Sequence, residues 1–244
     1  MRAVTTQIRT ELLLSSRQGE QLLVSLGIPL GILVFFSQVD VLPTGDGDPL
    51  DFLAPAVLAL AVISSAMVSL GIGTGFERFY GVLKRLGATP LGRPRLIGAK
   101  IASVLAVEVL QFVVLIGTAL ALGWNPSSGW PAAIAGAVLG TAAFAGLGLL
   151  LAGTLSGPLN LAMCNGLYLV LLITGGMIVP FEELPESLRT VFKLLPAAAL
   201  SDVMLGALNP AHELHGPSWG VLLVWALVLP VAAARWFNWE AARK

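Results

Sequence analysis

ERFYGVLKRLGATPLGRPRLIGAK, residues 77–100, is the longest charged and helix-breaking interval in a chain otherwise made of apolar runs. It holds six of the 14 Lys and Arg, namely Arg78, Lys84, Arg85, Arg93, Arg95 and Lys100, against one acid, Glu77. Its surroundings decide its meaning. Hydrophobic residues make up 56% of the 244 and charged residues only 11%, with a mean hydropathy of +0.86. A soluble domain carries about 25% charged residues. Such a chain is built for lipid, and the basic stretch is a loop between membrane segments. The polar intervals are short, which predicts one membrane domain over residues 1–244 with no folded aqueous domain. Net charge is zero, so no nucleic-acid or acidic partner is predicted from overall balance; the information lies in where the charges fall. The single cysteine, Cys164, sits inside an apolar run as a small buried hydrophobe.

Outward from the loop, apolar runs recur at about 22–39, 53–75, 97–123, 131–153, 159–179 and 219–237. A helix needs about 20 residues to cross the hydrocarbon, and an open strand leaves its backbone unsatisfied there. The runs therefore predict an all-α membrane protein of six transmembrane helices. Pro29 is expected to kink the first, Pro55 falls near the start of the second, and GTLSGPLN at 153–160 allows only a tight hairpin. In residues 1–20, Val4, Ile8 and Leu12 recur at helical spacing with Arg2, Arg9 and Arg17 between them. That pattern predicts a retained helix lying along the membrane surface. With a cytoplasmic N-terminus, 12 of the 14 Lys and Arg fall inside and only Arg189 and Lys193 outside. The positive-inside rule then places both termini in the cytoplasm of a multi-pass cell-membrane protein.

Within the loop, Phe76, Phe79, Tyr80, Leu83 and Leu86 share one helical face, and Glu77, Arg78, Lys84 and Arg85 the other. A short two-faced helix is expected, stopped by Gly87 and Thr89-Pro90 and restarted through Pro94. Composition alone also allows a plain basic loop that sets topology and touches anionic lipid.

Several chemistries can be tested on the sequence. No G-x-x-x-x-G-K-[ST] phosphate loop occurs, so ATP cannot be held in that way and energy has to come from a partner. His212-Glu213-Leu214-His215 spaces its histidines by three, one short of the zinc-protease helix motif, and Pro210 and Pro217 flank it; no metal site is expected. Neither a G-x-S-x-G turn nor a carboxylate pair inside a run is present. GIGTG at 71–75, Gly27 with Gly31 and Gly136 with Gly140 are read as helix-packing positions. Glu108 is the one acid deep in a run, roughly 12 Å along a helix from Lys100, and an intramembrane carboxylate calls for a partner. With Gln111 one turn away, it reads either as polar lining of a transport path or as a hydrogen-bonded packing residue. Ser64, Ser65 and Ser69 in the second run, and Asn165 and Tyr168 in the fifth, are further lining candidates.

The loop also carries a resemblance. The order Glu77-Arg78, Gly81, Leu83-Lys84-Arg85-Leu86, Ala88-Thr89-Pro90-Leu91, Arg93, Leu96 and Lys100 resembles the loop between spans two and three in permease subunits of type-2 ABC exporters. A second stretch, GGMIVPFEELPESLRTVFKLLPAAALSDVMLGAL at 175–208, resembles that family's segment after span five: a Gly-rich helix end, a proline turn and two short outer-leaflet helices divided by Pro196. The resemblance implies a coupling helix that docks on a separate ATPase subunit. Glu77, Arg78, Lys84 and Arg85 would make the polar contact, and Phe79, Tyr80 and Leu83 would anchor the helix. It implies two permease chains, identical or related, and two ATPase copies that bind ATP and Mg, with no cofactor on this chain. A hydrophobic or amphipathic substrate, drug or lipid-like, is the expected cargo, and a glycan or polymer the alternative within the family. A stand-alone ion-coupled transporter is the alternative outside it; solitary Glu108 and the lack of a visible repeat stand against that reading.

Overall fold

The computed structural model describes residues 19–39, 48–87, 92–177, 185–212 and 216–238, and among them the fold is all-helical. Helix α1 runs Gly19–Phe36, α2 Pro49–Phe79, α3 Val82–Gly87, α4 Arg93–Ala121 and α5 Trp130–Thr154. Then follow α6 Gly157–Thr174, α7 Glu186–Phe192, α8 Pro196–Leu208 and α9 Gly216–Trp236. The expected surface helix at 1–20 lies outside the described residues except for its last two. Also outside are 178–184, Glu213, His215, Arg243 and Lys244.

Among the described residues, α2, α4, α5, α6 and α9 can each cross a membrane by length and apolar composition, five helices against the six expected. The sixth candidate, α1, is an 18-residue helix whose described side chains begin at Leu26, and Leu26–Phe36 is apolar. Pro29 sits inside this helix. Helix α2 begins at Pro49, four residues before the predicted run. Asp48 caps it by accepting from Leu50 N at 2.9 Å, and Pro49 occupies the first turn. Pro55 is therefore internal and buried rather than near the helix start. At the other end of the bundle, only Leu155 and Ser156 separate α5 from α6, which is the tight hairpin expected.

The core is α2 crossed by α5. Most of α2 is buried, including every residue from Leu53 to Ile63, while α4, α6 and α9 leave large apolar side chains such as Val109, Val113, Ile173 and Val231 exposed. Between lipid-bathed helices there is no hydrophobic driving force, so association rests on close packing and hydrogen bonds. Helix α5 supplies the close packing. A Cβ built on Gly148 would lie 2.7 Å from Met67 O of α2, and one on Gly146 2.5 Å from Pro230 N of α9. Gly136 and Gly140 abut Val203 and Leu200 of α8, so the expectation for that pair holds. Gly27 and Gly31 do not behave likewise: nothing within 4 Å meets either, because the α1 face that carries them points away from the bundle.

The two short helices after α6 differ sharply. Helix α7 exposes Leu188 and Val191, whereas α8 is buried along nearly its whole length against α2, α5 and α9. Polar contacts pin this end: Ser127 Oγ donates to Ala207 O at 2.5 Å, Trp225 Nε1 to Leu194 O at 2.9 Å, and His212 Nε2 lies 3.1 Å from Asp202 Oδ1.

Candidate functional site

Two polar places lie along α2, one at its C-terminal end and one near its middle.

At the end, the expected single helix over 77–86 is two pieces. Helix α2 runs on to Phe79, Tyr80 N and Gly81 N close the last turn onto Phe76 O and Arg78 O, and Gly81 takes φ +76° before α3 begins. A left-handed residue after a helix is the ordinary glycine stop. The break overturns the predicted faces. Arg78, expected on the outer polar side, is buried at 5% exposure, and its Nη1 donates to Ala152 O at 3.1 Å and Leu155 O at 2.7 Å. It thereby satisfies carbonyls that the end of α5 leaves open. Glu77 also turns to the protein, where its carboxylate meets Lys100 Nζ at 2.9 Å; the Lys100 side chain is 1% exposed. Phe79 and Tyr80, expected as buried anchors, are instead exposed at 52% and 73%, with their rings in edge contact. Leu83 is buried as expected, against Leu96 and Phe237, and Lys84 and Arg85 are exposed. The outcome is a knuckle: an exposed Phe79-Tyr80 tip beside two exposed cations, on a buried base of Arg78, Leu83 and Lys100.

Below the knuckle, α2 is stitched to the α5–α6 hairpin. Asn160 Nδ2 donates to Gly71 O at 2.9 Å, and Gly75 admits that side chain, since a Cβ there would come within 2.3 Å of Nδ2. Thr74 is buried on the same face. Asn160 escapes a sequence reading aimed at the middle of the runs; its signal is an amide two residues after Pro158, at a helix start.

Near the middle, Ser64–Ser69 of α2 is wound as a π-helix, with α-helix on both sides. Ser65 Oγ from this turn lies 2.8 Å from Glu108 Oε1, and Thr141 Oγ1 of α5 makes a short hydrogen bond with Oε2. The same two hydroxyls reach the carbonyls of Ala61 and Ala137, at 2.9 and 2.8 Å. All three side chains, and Gln111, are buried. Glu108 and Gln111 are thus enclosed within one chain. Thr141 is a site residue that sequence reading misses, because a lone hydroxyl in a Gly- and Ala-rich run looks like packing. Ser69 is half-buried on α2. On α6, Asn165 is exposed with its Nδ2 bonded to Leu161 O at 2.9 Å, and Tyr168 packs partly into the core. The structure does not bring these two to Glu108 in any hydrogen bond.

Comparison with known proteins gives two matches. A family model described as ABC-2 family transporter protein covers residues 21–235. A protein named "Putative transport permease YvfS" from Bacillus subtilis (strain 168) is 27% identical over 184 residues, 71% of this chain and 72% of its own length.

Proposed function

The chain belongs to the ABC-2 transporter family, and on that premise we propose that it is the permease of an ATP-driven exporter whose ATPase pushes on the Phe79-Tyr80 knuckle. As an ABC permease the chain is not itself the ATPase, and its family implies an ABC ATPase partner. What carries the finer reading is the knuckle. Two aromatic rings and the cations Lys84 and Arg85 stand exposed at the end of the most buried of the spanning helices, where force applied outside reaches the core directly. The contact face proposed here is therefore Phe79, Tyr80, Lys84 and Arg85. Glu77 and Arg78 act behind it, tying the knuckle to α4 and α5. Exposed aromatics with flanking basic residues are the usual anchors of a docking surface.

In this reading two permease chains, identical or related, face each other with two ATPase copies on the cytoplasmic side, which bind ATP and Mg. Both termini lie in the cytoplasm of the cell membrane. The half-exposed stripe of α2, Ser64, Ser69, Ile72 and Gly73, and exposed Asn165 of α6 line a path for a hydrophobic or amphipathic substrate taken from the cytoplasm or inner leaflet. An amide on an otherwise apolar face is costly against lipid tails and suits a path or a protein contact.

The test is reconstitution with the cognate ATPase. Phe79→Ala with Tyr80→Ala should leave insertion intact, weaken ATPase association, and lower transport by about tenfold or more, as loss of hot-spot contacts does. Unchanged co-purification and ATP-dependent transport in that double variant would disprove the assignment.

A further inference from the structure

The Glu108 cluster holds more contacts than its hydroxyls have protons. Ser65 and Thr141 bring one proton each, yet five oxygen contacts compete for them: two to carboxyl oxygens and three to the carbonyls of Ala61, Val62 and Ala137. An ionised carboxylate accepts only. If it took both hydroxyl protons, the carbonyls of Ala61, Val62 and Ala137, at 2.9, 3.3 and 2.8 Å, would face the hydroxyl oxygens with no proton between them. One added proton on the carboxyl relieves the Thr141 side of this. Given to Thr141 across the shortest contact, it frees the Thr141 proton for Ala137 O, while Ser65 bridges Oε1 and Ala61 O. The surroundings agree. Helix α2 contributes Ser65, α5 Thr141 and α4 Gln111, all uncharged, and Lys100 on the same helix is taken by Glu77. Among the described residues no cation meets the carboxyl.

We propose that Glu108 is a neutral carboxylic acid that donates to Thr141, closing a hydrogen-bond chain from α5 through α4 to α2, and that this chain positions the π-wound turn of α2 during transport. A π turn is rare and persists where local interactions hold it, often at functional sites. Here it divides α2 into two bodies. The half from Pro49 to Ile63 packs with α1, α4, α5 and α8, and the half from Leu70 to Phe79 is bound to α5 and α6 through Arg78 and Asn160. Ser65 sits in the joint, and Glu108 is its polar hold from α4. Glu108 is thus a positioning residue, acting on substrate movement only through α2.

The protonation assignment stands apart from the exporter reading; the positioning role rests on it, and the experiment separates the two. Infrared difference spectra of wild type against E108Q in lipid, at neutral pH, should show a protonated-carboxyl C=O stretch lost in the variant. Carboxylate bands alone would overturn the assignment whether or not the chain exports anything. With the ATPase present, E108Q should transport within about twofold of wild type, because an amide donates and accepts at the same two places without ionising, whereas E108A should lose about tenfold or more per ATP hydrolysed. Equal losses in E108Q and E108A would overturn the proposal. Should E108A fail to fold, T141V keeps the shape and removes the acceptor; full transport by T141V overturns the positioning role.

Discussion

Arg78 donates to two carbonyls at the end of a helix 74 and 77 residues away, which makes it a cap supplied by a neighbour. Hydrogen bonds to a charged group contribute about 1.5–3 kcal/mol, so Arg78→Ala should lower stability by about that much, read as a lower thermal midpoint in detergent. A variant of unchanged midpoint would mean that water replaces the guanidinium there. At this scale the sequence was partly legible. Glu108 stands out because an acid in an apolar run demands a partner, and it has Ser65 and Thr141. Thr141 does not stand out, since nothing local distinguishes a ligand hydroxyl from a packing one. The inward turn of Arg78 was hidden for a different reason. A helical wheel drawn through 76–86 assumes one helix, and Gly81 at φ +76° resets the phase after Tyr80.

Among elements, α5 determines how closely the bundle can pack. Replacing Gly148 by Ala puts a methyl against the backbone of Met67, which cannot rotate away, and Gly146→Ala does the same at Leu229 and Pro230. Overpacking of this kind costs about 1–3 kcal/mol. Both variants should give less folded protein by size-exclusion, while Gly31→Ala, with nothing within 4 Å, should leave the folded yield of the isolated chain unchanged. Equal yields for Gly148→Ala and Gly31→Ala would refute the close approach of α2 and α5. Span positions for α5 and α9 were legible from hydropathy because little but apolar residues lies between their ends. The start of α2 was legible in principle, in Asp48-Pro49, but a search for apolar runs passes over a polar cap. The depth of α8 was not legible, because a short helix apolar but for Ser201 and Asp202 serves equally for a surface helix and for one buried on nearly every side.

For the whole molecule, the alternating ends of α2, α4, α5, α6 and α9 place Ser128 and Arg235 at opposite ends of the bundle, both exposed. The native thiol, Cys164, is buried, so it gives little background to labelling. In intact cells a membrane-impermeant maleimide should label S128C and not R235C; the reverse pattern would invert the proposed topology. One consequence of the Arg78 cap concerns synthesis. The carbonyls it serves belong to residues made 74 and 77 positions later, and Thr141 follows Glu108 by 33. At about 5–20 residues per second, Arg78 waits roughly 4–15 s for its acceptors. During that interval α2 has left the ribosome with a guanidinium that lipid will not accept. The end of α2 therefore has to linger at the aqueous boundary until the α5–α6 hairpin arrives, so the most buried spanning helix of the finished protein is among the last to settle.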